Sequence, residues 1–98
     1  MKTATARRQT ADADLARITA EAVAHAVEFT ATIRAAEPNS TRMRNYTVRR
    51  ATLAEARGMA VRLENLFHNG RRALVYAISP TQQAHMVPND FATEEMNR

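Results

Sequence analysis

Six arginines are the side chains of this sequence best suited to bind a partner. Four of them are two pairs of consecutive residues, Arg49–Arg50 and Arg71–Arg72. The other two, Arg42 and Arg44, are separated by one residue. The planar guanidinium fork binds phosphate and carboxylate groups through two hydrogen bonds at once. Arginines beside strands also discourage edge pairing, and a GC-rich genome would produce the same arginine excess. We predict these six as partner-binding residues, with compositional bias as the alternative reading.

The positive charge is concentrated in the middle of the chain and at its start. The 98 residues carry a net charge of +4, and all but one of the 14 basic residues are arginine. Residues 38–88 carry +6 and residues 1–11 carry +3, whereas residues 12–37 and 89–98 are acidic. This distribution favours an acidic partner, which is either a protein surface or a nucleic acid.

The histidines predict no metal or cofactor site. His25, His68 and His85 are far apart in the sequence, and none has a carboxylate at ligand spacing. Metal ions need several converging ligands with supporting hydrogen bonds. The sequence has no cysteine, which excludes thiolate ligands, disulfides and a cysteine nucleophile.

Enzymatic chemistry is equally unsupported. Ser40 and Ser79 lie beside or near prolines in turn sequences, outside any Gly-x-Ser-x-Gly motif. The two glycines, Gly58 and Gly70, cannot form a phosphate-binding loop. We therefore predict that the protein is not an enzyme.

Hydrophobic spacing predicts two helices. A long amphipathic helix starts at Asp12 or Thr10 and runs for about 24 residues to Pro38. Its apolar residues recur at helical spacing: Leu15, Ile18, Ala22, Ala26, Phe29 and Ile33. A second helix opens on Thr52 and Glu55, which form a capping-box pattern, and ends at Gly70.

Three strands complete the predicted fold, over residues 43–51, 73–78 and 83–87. The class is α+β: a long N-terminal amphipathic helix followed by a β-α-β-β unit, with a three-stranded mixed sheet and both helices on one face. The first two strands pair in parallel through a right-handed crossover, and Pro88 places the third at an edge. Successive side chains of the central strand should point to opposite faces of the sheet. We expect Leu74, Tyr76 and Ile78 to face the helices. Ala73, Val75 and Ala77 should lie on the face without helices, beside Arg49 and Arg71.

The domain prediction is a single α+β domain over residues 12–88. Residues 1–11 form a flexible basic arm and residues 89–98 a flexible acidic tail. No apolar run follows the N-terminal basic residues, and no stretch approaches the roughly 20 apolar residues of a membrane span. We expect a cytoplasmic protein without a membrane partner.

The predicted function is a small non-enzymatic interaction module that forms a homodimer and binds a protein partner through an arginine-rimmed sheet surface. One alternative is a nucleic-acid-binding accessory protein that uses the basic arm and the arginine pairs. Base stacking needs aromatic side chains on the open face, and Tyr46 and Tyr76 are both predicted to point inward. A further alternative is a small inhibitory or regulatory protein of a bacterial or phage system.

Gly58 is the residue least expected at its position. It falls inside the second helix, away from the apolar face, where glycine costs about 1 kcal/mol relative to alanine. It marks either a shallow docking spot for a partner backbone or a tolerated substitution.

Overall fold

The described part of the chain forms a four-stranded antiparallel sheet with two helices. A computed structural model describes residues 4–68 and 71–91, with side chains from residue 13 onward. The elements follow in the order α1 (Ala4–His25), β1 (Glu28–Ala36), β2 (Met43–Arg50), α2 (Leu53–Phe67), β3 (Leu74–Ile78) and β4 (Ala84–Val87). The spatial order of the strands is β2-β1-β3-β4. The α+β class is confirmed, and the predicted three-stranded mixed sheet is wrong.

β1 occupies the segment that was predicted as the second half of the long helix. Its residue Ala31 pairs with Val48 of β2 on one side and with Val75 of β3 on the other. Phe29, Ala31, Ile33 and Ala35 alternate along the strand and are all buried. Pairing on both sides satisfies the backbone donors and acceptors of β1 as fully as a helix would, and the strand also buries every second side chain. α1 accordingly ends at His25, and it begins at Ala4, inside the stretch predicted as an arm.

The position of β1 changes the topology. Because β1 pairs antiparallel with both neighbours, β2 and β3 run parallel to each other but do not pair. The predicted parallel pair is therefore wrong. β3 lies in the interior of the sheet and β4 lies at its edge, next to Pro88, and both placements agree with the prediction.

One face of the sheet carries the core, and we call it the covered face. α2 contributes its buried residues Leu53, Ala56, Ala60 and Leu63 to this core. α1 adds Ala22 and Val23, which pack on the same cluster, so both helices lie on one side as predicted. The strands contribute alternate residues: Phe29, Ala31, Ile33, Tyr46, Val48, Val75, Ala77 and Val87.

The central strand β3 faces the opposite way from the prediction. Ala73, Val75 and Ala77 are buried in the core, whereas Leu74 is exposed and Tyr76 is half-buried. Ile78 shares the face of Leu74 and Tyr76 by its position in the strand, although it is buried as well. The strand register sets this orientation, because Val75 pairs with the buried Ala31 of β1 and with the buried Val87 of β4 and shares their covered face.

Both ends of α2 are fixed by local hydrogen bonds. The Thr52 hydroxyl accepts the Glu55 N–H at 3.2 Å and donates to the Glu55 carboxylate at 2.9 Å, so the predicted capping pair is confirmed. The other end comes earlier than predicted. His68 adopts a left-handed conformation with φ of 49°, and its N–H donates to the Glu64 carbonyl. Gly70, the predicted stop, lies outside the described residues.

Among the α1 side chains described from residue 13 onward, those that contact the sheet and its core lie in the last two turns. The Thr19 hydroxyl lies 3.0 Å from His85 Nε2 on the edge strand β4. Just after α1, in the link to β1, the Val27 N–H donates to the Ile78 carbonyl. Thr19 is 1% exposed, whereas Leu15, one turn earlier, is 52% exposed and Ile18 is 46% exposed. α1 therefore crosses β3 and β4 and then projects beyond the edge of the sheet.

Candidate functional site: the open face of the sheet

The face of the sheet opposite the helices is lined by side chains from all four strands, and we call it the open face. No described helix or strand lies over it. The strand register assigns to it Thr30, Thr32, Arg34, Asn45, Thr47, Arg49, Leu74, Tyr76 and Met86. It divides into a polar, basic half on β1 and β2 and an apolar half on β3 and β4.

Three neighbouring side chains form the accessible part of the apolar half, which also includes the buried Ile78. Leu74 and Tyr76 alternate along β3, and Tyr76 lies opposite Met86 on β4. Leu74 is 43% exposed and Met86 is 48% exposed, while Tyr76 is half-buried between its neighbours. Tyr76 was predicted to point inward, so the sequence analysis missed this aromatic ring on the open face.

The polar half is held by short contacts between strands. The Thr32 and Thr47 hydroxyls are 2.7 Å apart, and Arg34 Nη1 donates to Asn45 Oδ1 at 3.4 Å. Arg49 Nη1 lies 3.9 Å from Glu28 Oε1, with the arginine side chain mostly exposed. Although Glu28 is partly buried, a pair at this distance whose arginine is mostly exposed contributes little to stability, so Arg49 can exchange Glu28 for a carboxylate or phosphate of a partner at small cost.

The six predicted arginines do not converge on one surface. Arg49 is the one whose position in the register faces the open side, whereas Arg50 pairs with Phe29 and shares its covered side. The others lie at the opposite end of the sheet, where β2 begins and β3 begins: Arg42, Arg44, Arg71 and Arg72. The pair Arg49 and Arg50 and the pair Arg71 and Arg72 therefore do not form one patch.

Arg44 is engaged on the covered side. Its guanidinium carbon lies 5.6 Å from the centroid of the Tyr46 ring, a cation–π geometry. The Tyr46 ring packs in turn against Phe67, with centroids 4.4 Å apart. Tyr46 therefore points inward, as predicted, and is not available for stacking on the open face.

A shallow cavity of about 230 Å³ lies between α2 and the start of β3. Glu64 Oε2 in its wall accepts the Ala73 N–H at 3.0 Å and fastens β3 to α2. Arg57 donates to the carbonyls of Pro88 and Phe91 at 3.0 and 2.6 Å. Burial lowers the pKa of the Arg57 guanidinium, and the charge of Asp90 opposes that shift. Within the described chain the cavity is lined by Arg72, one of the six predicted arginines, and by neither serine nor histidine. Glu64 and Arg57 in its wall hold backbone in place.

His68, His85 and the two serines have structural roles. His85 bonds Thr19, and His68 ends α2. Ser40 Oγ accepts the Arg42 N–H and Ser79 Oγ accepts the Gln83 N–H, each at 3.0 Å in a turn. Among the described residues, no three side chains of histidine, aspartate or glutamate are grouped so that they could hold a metal ion.

Gly58 lies on the exposed outer side of α2. A Cβ at this position would have no atom within 4 Å, so no part of the described chain packs against it. Its backbone is helical and needs no glycine.

Sequence reasoning missed Arg34 because it assigned that residue to a helix. The signal that could have found it is the alternation of Phe29, Ala31 and Ile33 with Thr30 and Thr32, since β-branched residues favour strands. On a strand, this alternation places Arg34 on the same face as the two threonines.

No helix within residues 4–68 and 71–91 is long and apolar enough to cross a membrane. No protein-family model, curated protein or solved structure matches the chain.

Proposed function

We propose that this chain is a small, non-enzymatic interaction module whose open face binds a protein partner. The observation that carries the proposal is the uncovered group Leu74, Tyr76 and Met86 beside the exposed guanidinium of Arg49. The support comes from the composition of this face and from the absence of converging catalytic groups in the described residues.

The apolar half supplies the driving force for binding. An antiparallel sheet with one solvated face normally alternates apolar residues inward and polar residues outward. β3 and β4 depart from this pattern by exposing leucine and methionine around a tyrosine. A contiguous apolar patch on a small protein marks an interaction surface, and tyrosine is enriched among the residues that dominate binding energy.

The polar half defines the chemistry of the partner. Arg34 and Arg49 are exposed on the open face, and arginine pairs with carboxylates through two parallel hydrogen bonds. The complementary surface has an apolar centre and carboxylates along one border. Partner recognition therefore combines hydrophobic burial over β3 and β4 with ion pairs over β1 and β2.

Self-association is part of the same proposal. α1 carries exposed apolar side chains on a segment without a neighbour in the described chain, and such a segment needs a second surface to bury them. A chain of 98 residues buries roughly 60–65% of its unfolded surface, so a second copy adds usefully to the apolar area removed from water.

The test compares variants in affinity capture from the native cell extract, with and without nuclease. Leu74→Glu and Met86→Glu place a charge in the apolar half and should abolish capture of a specific protein by the wild type. Leu66→Glu is the matched control, because Leu66 is 70% exposed on α2, away from the open face, and it should capture the same protein. Equal capture by all variants, or capture that depends on nucleic acid, would contradict the proposal.

A second candidate function is binding of single-stranded nucleic acid, which the position of Tyr76 favours. Arg49, Thr30, Tyr76 and Met86 form one row across the sheet, so an aromatic ring lies in line with a guanidinium. Aromatic rings on a sheet stack bases at about 1–3 kcal/mol each. A single half-buried ring makes this candidate weaker than the protein partner.

Salt dependence separates the two candidates. Binding of a fluorescent oligonucleotide should weaken steeply as salt increases, because each neutralised phosphate releases counterions. Tyr76→Leu should weaken it further, and Arg49→Gln should reduce the salt slope by about one unit. Absence of binding at micromolar protein concentration in low salt removes the nucleic-acid candidate.

A further inference from the structure

The two edges of the sheet differ in length and in protection. β4 has four residues, is contacted by α1 through Thr19 and His85, and is followed by Pro88. Pro88 has no N–H to donate, and its carbonyl already accepts bonds from Arg57 and Phe91. β2 has eight residues without a proline, and within the described chain it pairs with β1 alone. Prolines and covering elements protect edge strands, so β4 is protected and β2 is not.

A hydrogen bond at the β1–β2 turn shows which backbone groups of β2 face outward. The Glu37 N–H donates to the Arg42 carbonyl at 2.8 Å, and these two residues continue the β1–β2 register by one position. In an antiparallel pair, residues that bond the neighbouring strand alternate with residues that do not. The even-numbered residues of β2 therefore bond β1. The odd-numbered residues direct their N–H and C=O groups away from the sheet: Met43, Asn45, Thr47 and Arg49.

We infer that the outer edge of β2 binds an extended, acidic segment of a partner protein as an added antiparallel strand. Main-chain hydrogen bonds to an open sheet edge supply affinity, and alternate side chains supply specificity. The Arg49 carbonyl already accepts a bond from Nη1 of Arg50 at 2.6 Å, so the added strand bonds chiefly to Met43, Asn45 and Thr47. This edge adjoins the open face but is a separate surface, and it goes beyond the function proposed above.

The covered side of β2 favours apolar residues in the middle of the added segment. Tyr46 and Val48 pack on the core but remain half-buried, because no strand lies beyond them in the part of the chain that the structure describes. Directly opposed side chains on neighbouring strands are about 4.5–5.5 Å apart and stabilise the pair through contact. Apolar residues opposite Tyr46 and Val48 would therefore extend the core by one strand.

The arginines of β2 favour acidic residues near the ends of the same segment. Residues 43–50 contain Arg44, Arg49 and Arg50 and no acid. Arg44 and Arg50 have no ion-pair partner among the described carboxylates, and Arg49 lies 3.9 Å from Glu28 with its side chain mostly exposed. Opposite charges on directly opposed residues stabilise a strand pair. Carboxylates opposite Arg44 and Arg50 would therefore add to the backbone bonds at both ends of β2.

A second copy of β2 is a poor occupant of this edge. Two copies related by a two-fold axis can bond through their outward groups only where odd-numbered residues lie opposite odd-numbered residues. The two registers that satisfy this condition over most of β2 are centred on Tyr46 and on Thr47. The first places Arg42 opposite Arg50 of the other copy, and the second places Arg44 opposite Arg50. Like charges directly opposite each other destabilise a strand pair, so the arginines favour an acidic strand over β2 itself.

The first test uses a synthetic peptide with the sequence Glu-Glu-Val-Thr-Ile-Thr-Glu-Thr. Paired antiparallel with β2, its valine and isoleucine lie opposite Val48 and Tyr46. Its three glutamates lie opposite Arg50, Arg49 and Arg44. Fluorescence anisotropy of the labelled peptide should show saturable binding with a dissociation constant below about 1 mM, and salt should weaken it.

The matched control peptide has lysine in place of each glutamate. It should bind at least about tenfold more weakly, because like charges are then opposed along the strand. Absence of saturable binding of the acidic peptide, or equal binding of the two peptides, would overturn the inference.

The second test separates strand pairing from contact between side chains. The two peptide threonines opposite Asn45 and Thr47 direct their N–H groups towards β2 in the inferred register. Methylating these two backbone nitrogens should raise the dissociation constant at least about tenfold, because the donors are lost. Methylating the nitrogens of the valine and isoleucine, which face away from β2, should change it little. Equal effects of the two modifications would show that the peptide does not bind as a strand.

The third test changes the protein. Thr47→Pro removes an N–H that faces outward, a position at which an edge strand tolerates proline, and binding of the acidic peptide should fall at least about tenfold. Thr32→Val is the control, because it breaks the same hydroxyl contact between Thr32 and Thr47 but leaves the N–H of Thr47 in place, and it should bind like the wild type. Unchanged binding by a folded Thr47→Pro variant would overturn the inference. If that variant does not fold by circular dichroism, the methylated peptides decide the question on the wild-type protein.

The β2 edge and the open face fail separately. A negative result in the capture assays on Leu74→Glu and Met86→Glu would remove the proposed function and leave the β2 edge standing. Failure of the acidic peptide to bind would remove the added strand and leave the open face as proposed.

Discussion

The two helices of this protein lie on the same face of one sheet but relate to it in different ways. α2 buries four residues in the core and is capped at both ends. α1 is longer, yet among its described side chains only Thr19 is fully buried, and Leu15 and Ile18 are exposed. The structure thus combines a helix that completes its own domain with a helix that extends beyond it.

The contrast teaches that amphipathic patterning does not by itself say what a helix packs against. Both helices carry an apolar stripe, and one chain supplies a full partner surface for only one of them. A residue at the same kind of position should therefore matter differently in the two helices. The predictions below measure that difference.

The largest expected effect comes from truncating equivalent leucines. Leu63→Ala removes a buried side chain of α2 and should lower the free energy of unfolding by about 2–5 kcal/mol. This loss should not depend on protein concentration. Leu15→Ala should lower the free energy of unfolding by less at low protein concentration. This loss should grow as the protein concentration increases, because association stabilises the folded dimer by mass action.

Urea unfolding followed by circular dichroism at two protein concentrations measures both effects. If Leu15→Ala lowers the free energy of unfolding as much as Leu63→Ala in dilute solution, α1 is anchored within its own chain. The proposed difference between the two helices would then be wrong. Ala13→Gly serves as a reference for helix propensity alone in the projecting segment.

The next effect concerns the start of α2. Thr52→Ala removes the hydroxyl that bonds both the N–H and the carboxylate of Glu55. The free energy of unfolding should fall by about 1–2 kcal/mol. Thr52→Ser should retain most of the stability in the same urea titration, and a serine variant as weak as the alanine variant would show that the methyl group, not the cap, is responsible.

The attachment of α1 should be sensitive to one hydroxyl. Thr19→Val keeps the shape of the side chain but removes the bond to His85, and it should lower the free energy of unfolding by about 1 kcal/mol. Thr32→Val removes a bond between more exposed hydroxyls and should cost less, because water replaces the lost partner. Equal losses in thermal unfolding would mean that the Thr19 bond does not anchor α1.

The smallest change should be stabilising. Gly58→Ala adds a methyl group that meets no atom on the exposed side of α2. It should raise the free energy of unfolding by somewhat under 1 kcal/mol through helix propensity. If the melting temperature is unchanged or lower, Gly58 has a role in α2 that propensity does not describe.

Much of the fold could be predicted from local signals. The Thr52–Glu55 pair locates the start of α2, the continuous apolar run from Ala73 to Ile78 identifies the interior strand, and Pro88 identifies the edge strand. Each signal acts within a few residues, so no knowledge of the rest of the chain is required.

β1 could not be recognised in the same way. Ala22, Ala26, Phe29 and Ile33 fit a helical period across a real boundary, and neither proline nor glycine marks the break at residues 26–27. The covered face of β1 uses alanine at two of four positions, which favours helix locally. Tertiary pairing with β2 and β3 on both sides overrides that preference.

The failure to recognise β1 also prevented the prediction of the candidate site. Without β1, the prediction had no strand to place Arg34 beside Asn45 or to set β3 in its register. A run of apolar residues in β3 has no alternation, so the sequence alone could not decide which of Leu74 and Val75 faces the helices. The answer comes from the pairing of β3 with β1 and β4, which places Val75 beside Ala31 and Val87 on the covered face.

The sheet order has a consequence for how the chain reaches its folded state. β1–β2 and β3–β4 are hairpins that close over short turns, and the β1–β3 pair alone joins them. That seam brings together segments far apart along the chain, for example Ala31 and Val75, so its loop-closure entropy is the main kinetic obstacle. We expect Val75→Ala to slow refolding in stopped-flow experiments. A change in either hairpin turn should mainly affect the formation of that hairpin, which precedes the pairing of β1 with β3.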